Sequence, residues 1–357
     1  MDMPTLYFPD FSNETRLFLW ELNGFINSIF ETFPHMESFV AFLGLVTNTI
    51  HLMVLTRKVM MTSSTNVILI GIGIYDLTIM LMLLVPLIGR TKPGGCDLPP
   101  TLLRVELEFI GHTITDFSRR CSLWLGLSLA AVRYIVLKHT RKLRPCKLKK
   151  LRIGWFIFAI ISITSSLFSL LYWGRLTVIS FADWVPEPVC GFPEKFSLPL
   201  YGYYQRSIYY ENNELLLKFN FLLNGIFSKI LPCILFILLT IFLIRELNHV
   251  DQTRKNSGRE VQRKTTKLVI YMTISYLVAE LPLGIVNVLE FILTDNPGFL
   301  TLIESIKLLF NFINTLNATV HCFICFSLSI HYRSTVRKMF CGRRKQVKTI
   351  DARMFTT

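Results

Sequence analysis

Seven stretches of this 357-residue chain are each long and apolar enough to cross a hydrocarbon layer, which restricts the fold more than any motif does. They run from Ser38 to Thr56, Asn66 to Ile88, Leu102 to Leu137, Ile153 to Trp173, Leu217 to Ile244, Thr265 to Leu289 and Leu302 to Ile330. A hydrocarbon core about 30 Å thick needs about 20 mostly apolar residues of helix. The expectation is an all-α membrane protein, a bundle of seven transmembrane helices. It assigns residues 38–330 to the bundle, residues 1–37 to an extracellular N-terminal tail, and residues 331–357 to a short amphipathic eighth helix and a cytoplasmic tail.

Charge sets the orientation. Lys and Arg crowd the segments after runs one, three, five and seven, whereas the alternate segments hold only Arg16, Arg90, Lys92, Arg175, Lys195 and Arg206. Positive residues stay inside, so the N-terminus is expected outside and the C-terminus in the cytoplasm of a plasma-membrane protein. The net charge of +14 is then a topology signal and an attraction to anionic lipid, and implies no nucleic-acid partner. Of the eight cysteines, four lie in the runs and Cys146 and Cys341 face the reducing side. Cys96 and Cys190 remain on the oxidising side, where a disulfide can persist. Asn13-Glu14-Thr15 in the tail is an N-glycosylation acceptor pattern.

One polar or proline landmark marks nearly every run: Asn48, Asp76 in "LIGIGIYDLTIM", Arg133-Tyr134 in "AAVRYIVL", Pro232 in "SKILPCIL", Pro282 in "AELPLGI" and Asn317 in "NTLNATVHCFICF". In this order they resemble the rhodopsin-like G-protein-coupled receptors over nearly the whole chain. More narrowly, "DFSRRCSLWLGL", "KILPCIL" and "AELPLGI" resemble the nematode serpentine receptors of class W, relatives of the FMRFamide and myosuppressin peptide receptors. The resemblance implies that Arg133 and Tyr134 couple to a heterotrimeric G protein, with arrestin a further partner. It implies that Leu123, Pro232 and Tyr276 form an apolar connector, with Pro282 the kink of helix six. It also implies a sodium ion among Asp76, Ser122, Asn314 and Asn317, with Asn48 nearby; a plain interhelical hydrogen-bond network is the alternative. No other cofactor is implied. Four positions depart from the pattern: Val132 stands where an acid precedes the arginine, Gln262 where helix six carries an acid, and Ala318 and His321 where helix seven carries proline and tyrosine.

Arg119 lies fourteen residues ahead of Arg133, about 21 Å higher at 1.5 Å per residue. That is the level of the family's ligand pocket. Asp116, Arg119, Arg120, Lys229 and Glu280 are expected to meet there, with Arg119 paired to Glu280. They form either a static brace or a switch that a ligand charge can enter. The outer segments are rich in Asp and Glu, which suits a cationic peptide, and the resemblance points to an amidated neuropeptide of FMRFamide type. A small environmental molecule sensed as a chemical cue is the alternative. Phe18, Leu22, Phe25 and Ile29 recur at helical spacing, so the tail is expected to hold a surface helix at the lipid headgroups. Tyr332, Val336, Met339 and Phe340 give the eighth helix an apolar face, and Cys341 beside its basic cluster is a palmitoylation candidate.

Other classes fare poorly. Histidines 51, 112 and 321 are scattered over three helices and build no hydrolase metal centre. Asn311 occupies the place of an opsin's Schiff-base lysine. A transporter would show internal repeats, and none is found. No enzymatic activity is expected.

Overall fold

The computed structural model describes residues 3–30, 32–87, 96–141, 148, 150–193, 195–209, 211–253, 258–293 and 296–340. Among them, seven helices are long and apolar enough to span a membrane. Backbone polar groups cannot stay unpaired in hydrocarbon, and a helix pairs them within its own segment. Helix one is Phe33–Leu55, helix two Ser64–Leu84, helix three Leu102–Arg141, helix four Leu151–Arg175, helix six Gly258–Ile292 and helix seven Pro297–Leu328. Helix five has three parts: Glu211–Leu222, a wide π-helical segment Leu223–Ile230, and Leu231–Thr253.

Helix three is the axis. It touches helices two, four, five and six, while helix one lies against helices two and seven. On helix four, Phe156, Ile160, Ile163, Leu167 and Leu170 are exposed at helical spacing and form a lipid-facing stripe. The opposite face carries small groups, Gly154, Ser165 and Ser169. A Cβ on Gly154 would stand 2.8 Å from the Ser64 carbonyl oxygen and 2.7 Å from Val67 Cβ, so helices two and four meet backbone to backbone there.

Pro232 does not simply bend helix five. Its missing N–H sits just beyond the π segment, where the Leu231 N–H donates to Ile226 O five residues back. The helix is wide before the proline, and that width presents Ser228 and Lys229 inward, both buried.

The sequence reading holds for the seven-helix bundle and its disulfide, and the structure adds to it a strand pair and a docked N-terminal arm. The fold is not purely helical, because Leu176–Trp184 (β1) and Leu198–Gln205 (β2) form an antiparallel hairpin beyond helix four, with a bulge between Ser180 and Ala182. The expected disulfide Cys96–Cys190 is present and ties the start of helix three to the loop joining the strands. The segment before residue 38 carries the helix expected there, Asn13–Phe30, and helix one begins at Phe33, five residues before the boundary that hydropathy gave. That arm docks on the N-terminal end of helix seven, where Phe8 is buried against Phe299 and Gly298 and the Ser305 hydroxyl bonds Asn27. Phe18, Phe25 and Ile29 stay exposed on it, as does Asn13.

After Ser329 the chain turns into the helix Ile330–Phe340. Tyr332 is buried and its hydroxyl lies 2.9 Å from His51 Nδ1 on helix one, so this helix is latched to the bundle. Burial pushes the Tyr332 phenol pKa up, which keeps it neutral. Val336 and Met339 pack beside it, but Phe340 is exposed. Cys341 lies outside the described residues.

Gly154→Ala should lower the melting temperature and cell-surface level of the protein, because overpacking a tight contact costs about 1–3 kcal/mol. Gly174→Ala, at a position with nothing within 4 Å of the added Cβ, serves as the control and should leave both unchanged. Equal behaviour of the two variants in a thermal-unfolding assay would reject the close approach of helices two and four.

Candidate functional site

Two neighbouring residues on a helix point about 100° apart. Arg119 and Arg120 therefore face different parts of the bundle, and each has found its own acid. Arg120 turns to helices four and five and is 4% exposed. It pairs with Asp116 one turn above, and donates to Ser228 Oγ, Ser165 O and Ser169 Oγ, each at 3.1 Å. Arg119 turns to helices one and seven, donating to Asn311 Oδ1 at 2.6 Å and lying 3.3 Å from Glu37 Oε1. The Thr315 hydroxyl completes this group, donating to Glu37 Oε1 at 2.6 Å.

The expected Arg119–Glu280 pair is thus not formed. Glu280 instead accepts from Lys229 Nζ at 3.0 Å, across helices six and five. The physical reason is the π segment, which swings Lys229 inward opposite Glu280 two residues before Pro282, while Arg119 is satisfied on the other side of helix three. Even so, Asp116, Arg119, Arg120, Lys229 and Glu280 line one small hollow together. Above it opens a cavity of about 230 Å³ among helices three to seven. Its outer wall carries a further pair, Lys307 with Glu290.

Sequence reading missed Glu37, which it assigned to the tail, and the Lys307–Glu290 pair. Both had a signal: they are charges set against apolar helical runs, where a charge is expensive unless paired.

Deeper in the bundle, Asp76 is 1% exposed. Its Oδ1 accepts from Ser122 Oγ at 2.9 Å and its Oδ2 faces His321 Nδ1 at 2.7 Å. An ionised carboxylate only accepts, so Nδ1 carries the hydrogen. Tyr276 OH reaches Ser122 Oγ at 3.0 Å, and its ring packs against His321 with centroids 5.0 Å apart. Asn48 Nδ2 donates to Ala318 O at 3.2 Å. Among the described residues, Asn317 Oδ1, Asn48 Oδ1, Asn314 Nδ2 and His321 Nε2 have no hydrogen-bond partner. The two orphan oxygens are of a type a cation accepts, but Asn314 presents a donor and both Asp76 oxygens are engaged by O–H or N–H. The set fits a hydrogen-bonded network closed by His321 rather than a bare sodium ion.

The connector residues are in the core: Leu123 and Tyr276 are buried, and Gly126 lets the Tyr276 ring approach to 2.6 Å of where a Cβ would sit. At the far end of helix three, Arg133 makes no hydrogen bond or ion pair with the described residues, and its Nε is shut from solvent without a partner. Val132 before it is buried among apolar neighbours. The Tyr134 ring lies tilted against Phe242, with centroids 5.9 Å apart. The side chain of Gln262 lies outside the described residues.

With this geometry established, comparison with known proteins adds two findings. Residues 35–343 match the family described as serpentine type 7TM GPCR chemoreceptor Srw. A sex peptide receptor of Drosophila melanogaster is 24% identical over 329 residues, which cover 85% of this chain and 71% of the relative.

Charge reversal tests the pairing. Lys229→Glu and Glu280→Lys should each cut surface expression and thermal stability, since breaking a buried pair costs about 3–5 kcal/mol. The double exchange should recover part of the loss, whereas Arg119→Glu combined with Glu280→Arg should recover none. Rescue by the second combination and not the first would restore the pairing expected from sequence. For the Asp76 network, replacing sodium by N-methylglucamine in the medium should leave thermal stability unchanged, while His321→Ala should lower it. Sodium-dependent stabilisation of the wild-type protein would overturn the hydrogen-bonded assignment.

Proposed function

Since the chain belongs to the Srw serpentine family of G-protein-coupled receptors, we propose that it is a plasma-membrane receptor that passes the binding of an extracellular peptide to a heterotrimeric G protein. The N-terminus and the hairpin then lie outside and the helix Ile330–Phe340 inside, in keeping with the crowding of Lys and Arg in the segments assigned inside. The observation that carries the reading is the charged cavity between helices three and seven, set on the Lys229–Glu280 pair. An agonist that disturbs this pair acts on helix six two residues before Pro282, where the backbone lacks one hydrogen bond. From there Tyr276, Ser122, Asp76 and His321 make a continuous line of contacts between helices six, three, two and seven. Arg133 lies below, without a partner among the described residues.

A peptide agonist matches what the name of the Drosophila relative describes. In its amidated Arg-Phe form, the ligand guanidinium needs an acid, and those lining the cavity are held by internal bases. Lys307 is the most exposed base of the four pairs around the cavity, at 23% against 13%, 11% and 3%, so exchange at Glu290 is the easiest step. A small environmental molecule is the second reading, favoured by the modest cavity volume of about 230 Å³.

The test is a screen of amidated peptides and small metabolites against a calcium or cAMP reporter in cells expressing the chain. An amidated peptide ending in Arg-Phe should activate it. Lys307→Gln should shift its dose-response to lower concentration and Glu290→Gln to higher. Arg133→Ala should abolish nucleotide exchange at normal surface level. Activation by uncharged small molecules alone would reverse the two readings, and full signalling by the Arg133 variant would remove the G-protein step.

A further inference from the structure

Besides His112, the cavity is lined by four Lys and Arg side chains, Arg119, Arg175, Lys229 and Lys307, and by two acids, Asp116 and Glu290. Three of the bases are paired, with Glu37, Glu280 and Glu290 respectively, and Asp116 belongs to Arg120. Arg175 is left over. It is the last residue of helix four, and among the described residues its guanidinium makes no hydrogen bond or ion pair. Its Nε is buried without a partner.

The group is nevertheless held in place. Its central carbon lies 5.5 Å from the ring centroid of Tyr172 and 5.2 Å from that of Phe221, both of which also line the cavity. The Arg175 carbonyl accepts from the Arg206 N–H at 3.0 Å, which anchors the backbone to the base of the hairpin. The rings attract the cation but accept none of its N–H groups, and the helix C-terminus offers a favourable field without a bond to the guanidinium. A planar fork of donors thus stands oriented at the cavity wall with no protein partner among the described residues.

We propose that this fork is the seat of a ligand carboxylate. The inference rests on reading the cavity as the agonist site, and it names a second charge on the agonist: an anionic group at Arg175, on the helix-four side, opposite the Glu290 wall. A carboxylate is planar and accepts two parallel N–H bonds from one guanidinium edge, and a charge-assisted pair of this kind is roughly twice as strong as a neutral one. The Tyr172 and Phe221 rings beside it suit an apolar or aromatic body next to the acid. The carboxylate can come from a peptide side chain, a free peptide C-terminus or a small organic acid, and all three share this chemistry.

The experiment uses the full chain in lipid nanodiscs and reads its melting temperature with four probes. They are 3-phenylpropanoate, its neutral isostere 3-phenylpropanamide, an N-acetylated tripeptide ending in free Phe, and the same tripeptide amidated but carrying Glu. The carboxylate probes should stabilise the wild-type protein and 3-phenylpropanamide should not. Arg175→Gln should weaken the carboxylates about tenfold or more and leave the unliganded melting temperature near that of the wild type. Arg175→Lys should keep part of the preference, and Phe221→Leu, which loosens the guanidinium without touching its charge, should also weaken it. If Arg175→Gln does not fold, the lysine and leucine variants decide. The proposal is overturned if no carboxylate stabilises the wild-type protein up to millimolar concentration, if acid and amide act alike, or if the preference survives every variant. Stabilisation by 3-phenylpropanoate but by neither peptide supports the site and removes the peptide reading. Peptide-driven signalling that is indifferent to Arg175, with no carboxylate binding, removes the site and leaves the receptor reading intact.

Discussion

Compensation of charge inside an apolar bundle is the constraint on which the rest of the structure depends. Helix three brings Asp116, Arg119 and Arg120 to one level, and no unpaired ion is tolerated cheaply there. Because the two arginines diverge by about 100°, satisfying both requires helices one and seven on one side and helices four and five on the other. Arg119 accordingly draws in Glu37, Asn311 and Thr315, and Arg120 draws in Ser165, Ser169 and Ser228. The rotational setting of helix three and the start of helix one, early enough to bring Glu37 into range, both follow from this pairing. A buried ion pair adds little net stability over apolar packing, but it penalises every arrangement that separates its members.

The same reasoning reaches helix five. A regular helix would place Lys229 at a different angle, whereas the π segment ahead of Pro232 widens the turn and brings its amine to Glu280. A proline defect and a buried charge, each costly alone, are thereby combined into one contact between helices five and six. Gly225 and Gly284 permit that contact, since a Cβ on either would fall within 3.0 Å of the facing helix.

Much of this was legible in the sequence. Apolar runs located the spans to within a few residues, because lipid imposes one length on every crossing, and Cys96 with Cys190 were the two cysteines left for a bridge. The cluster at Asp116, Arg119, Arg120, Lys229 and Glu280 could be named because ionisable residues inside spans must find one another. Its internal pairing could not be, since a choice between Lys229 and Arg119 for Glu280 depends on a local change of helical pitch that no spacing rule reports. The hairpin was hidden for another reason. Its strands, LTVISFADW and LPLYGYYQ, lack a polar–apolar alternation and show exposed and half-buried positions in irregular order, as befits a sheet lying over the bundle mouth. Glu37 was misplaced because the boundary between tail and helix one was drawn by hydropathy, and a single acid was read as the edge of the span.

The two ends of helix three are held in opposite ways. At the cavity end each of Asp116, Arg119 and Arg120 has an acid or base within reach, and four neighbouring helices, one, four, five and seven, are fixed by the contacts of the two arginines. At the inner end Val132 replaces the acid that would restrain Arg133, and its neighbours are apolar. Restraint is therefore concentrated at the cavity end, and the contacts leading from it pass through Tyr276, Ser122, Asp76 and His321. His321 is central to that path: its Nδ1 lies 2.7 Å from Asp76 Oδ2, so helix seven itself supplies a polar partner for the buried carboxylate of helix two. A side chain cannot leave its site as an ion can, so this join between helices two and seven is part of the covalent chain.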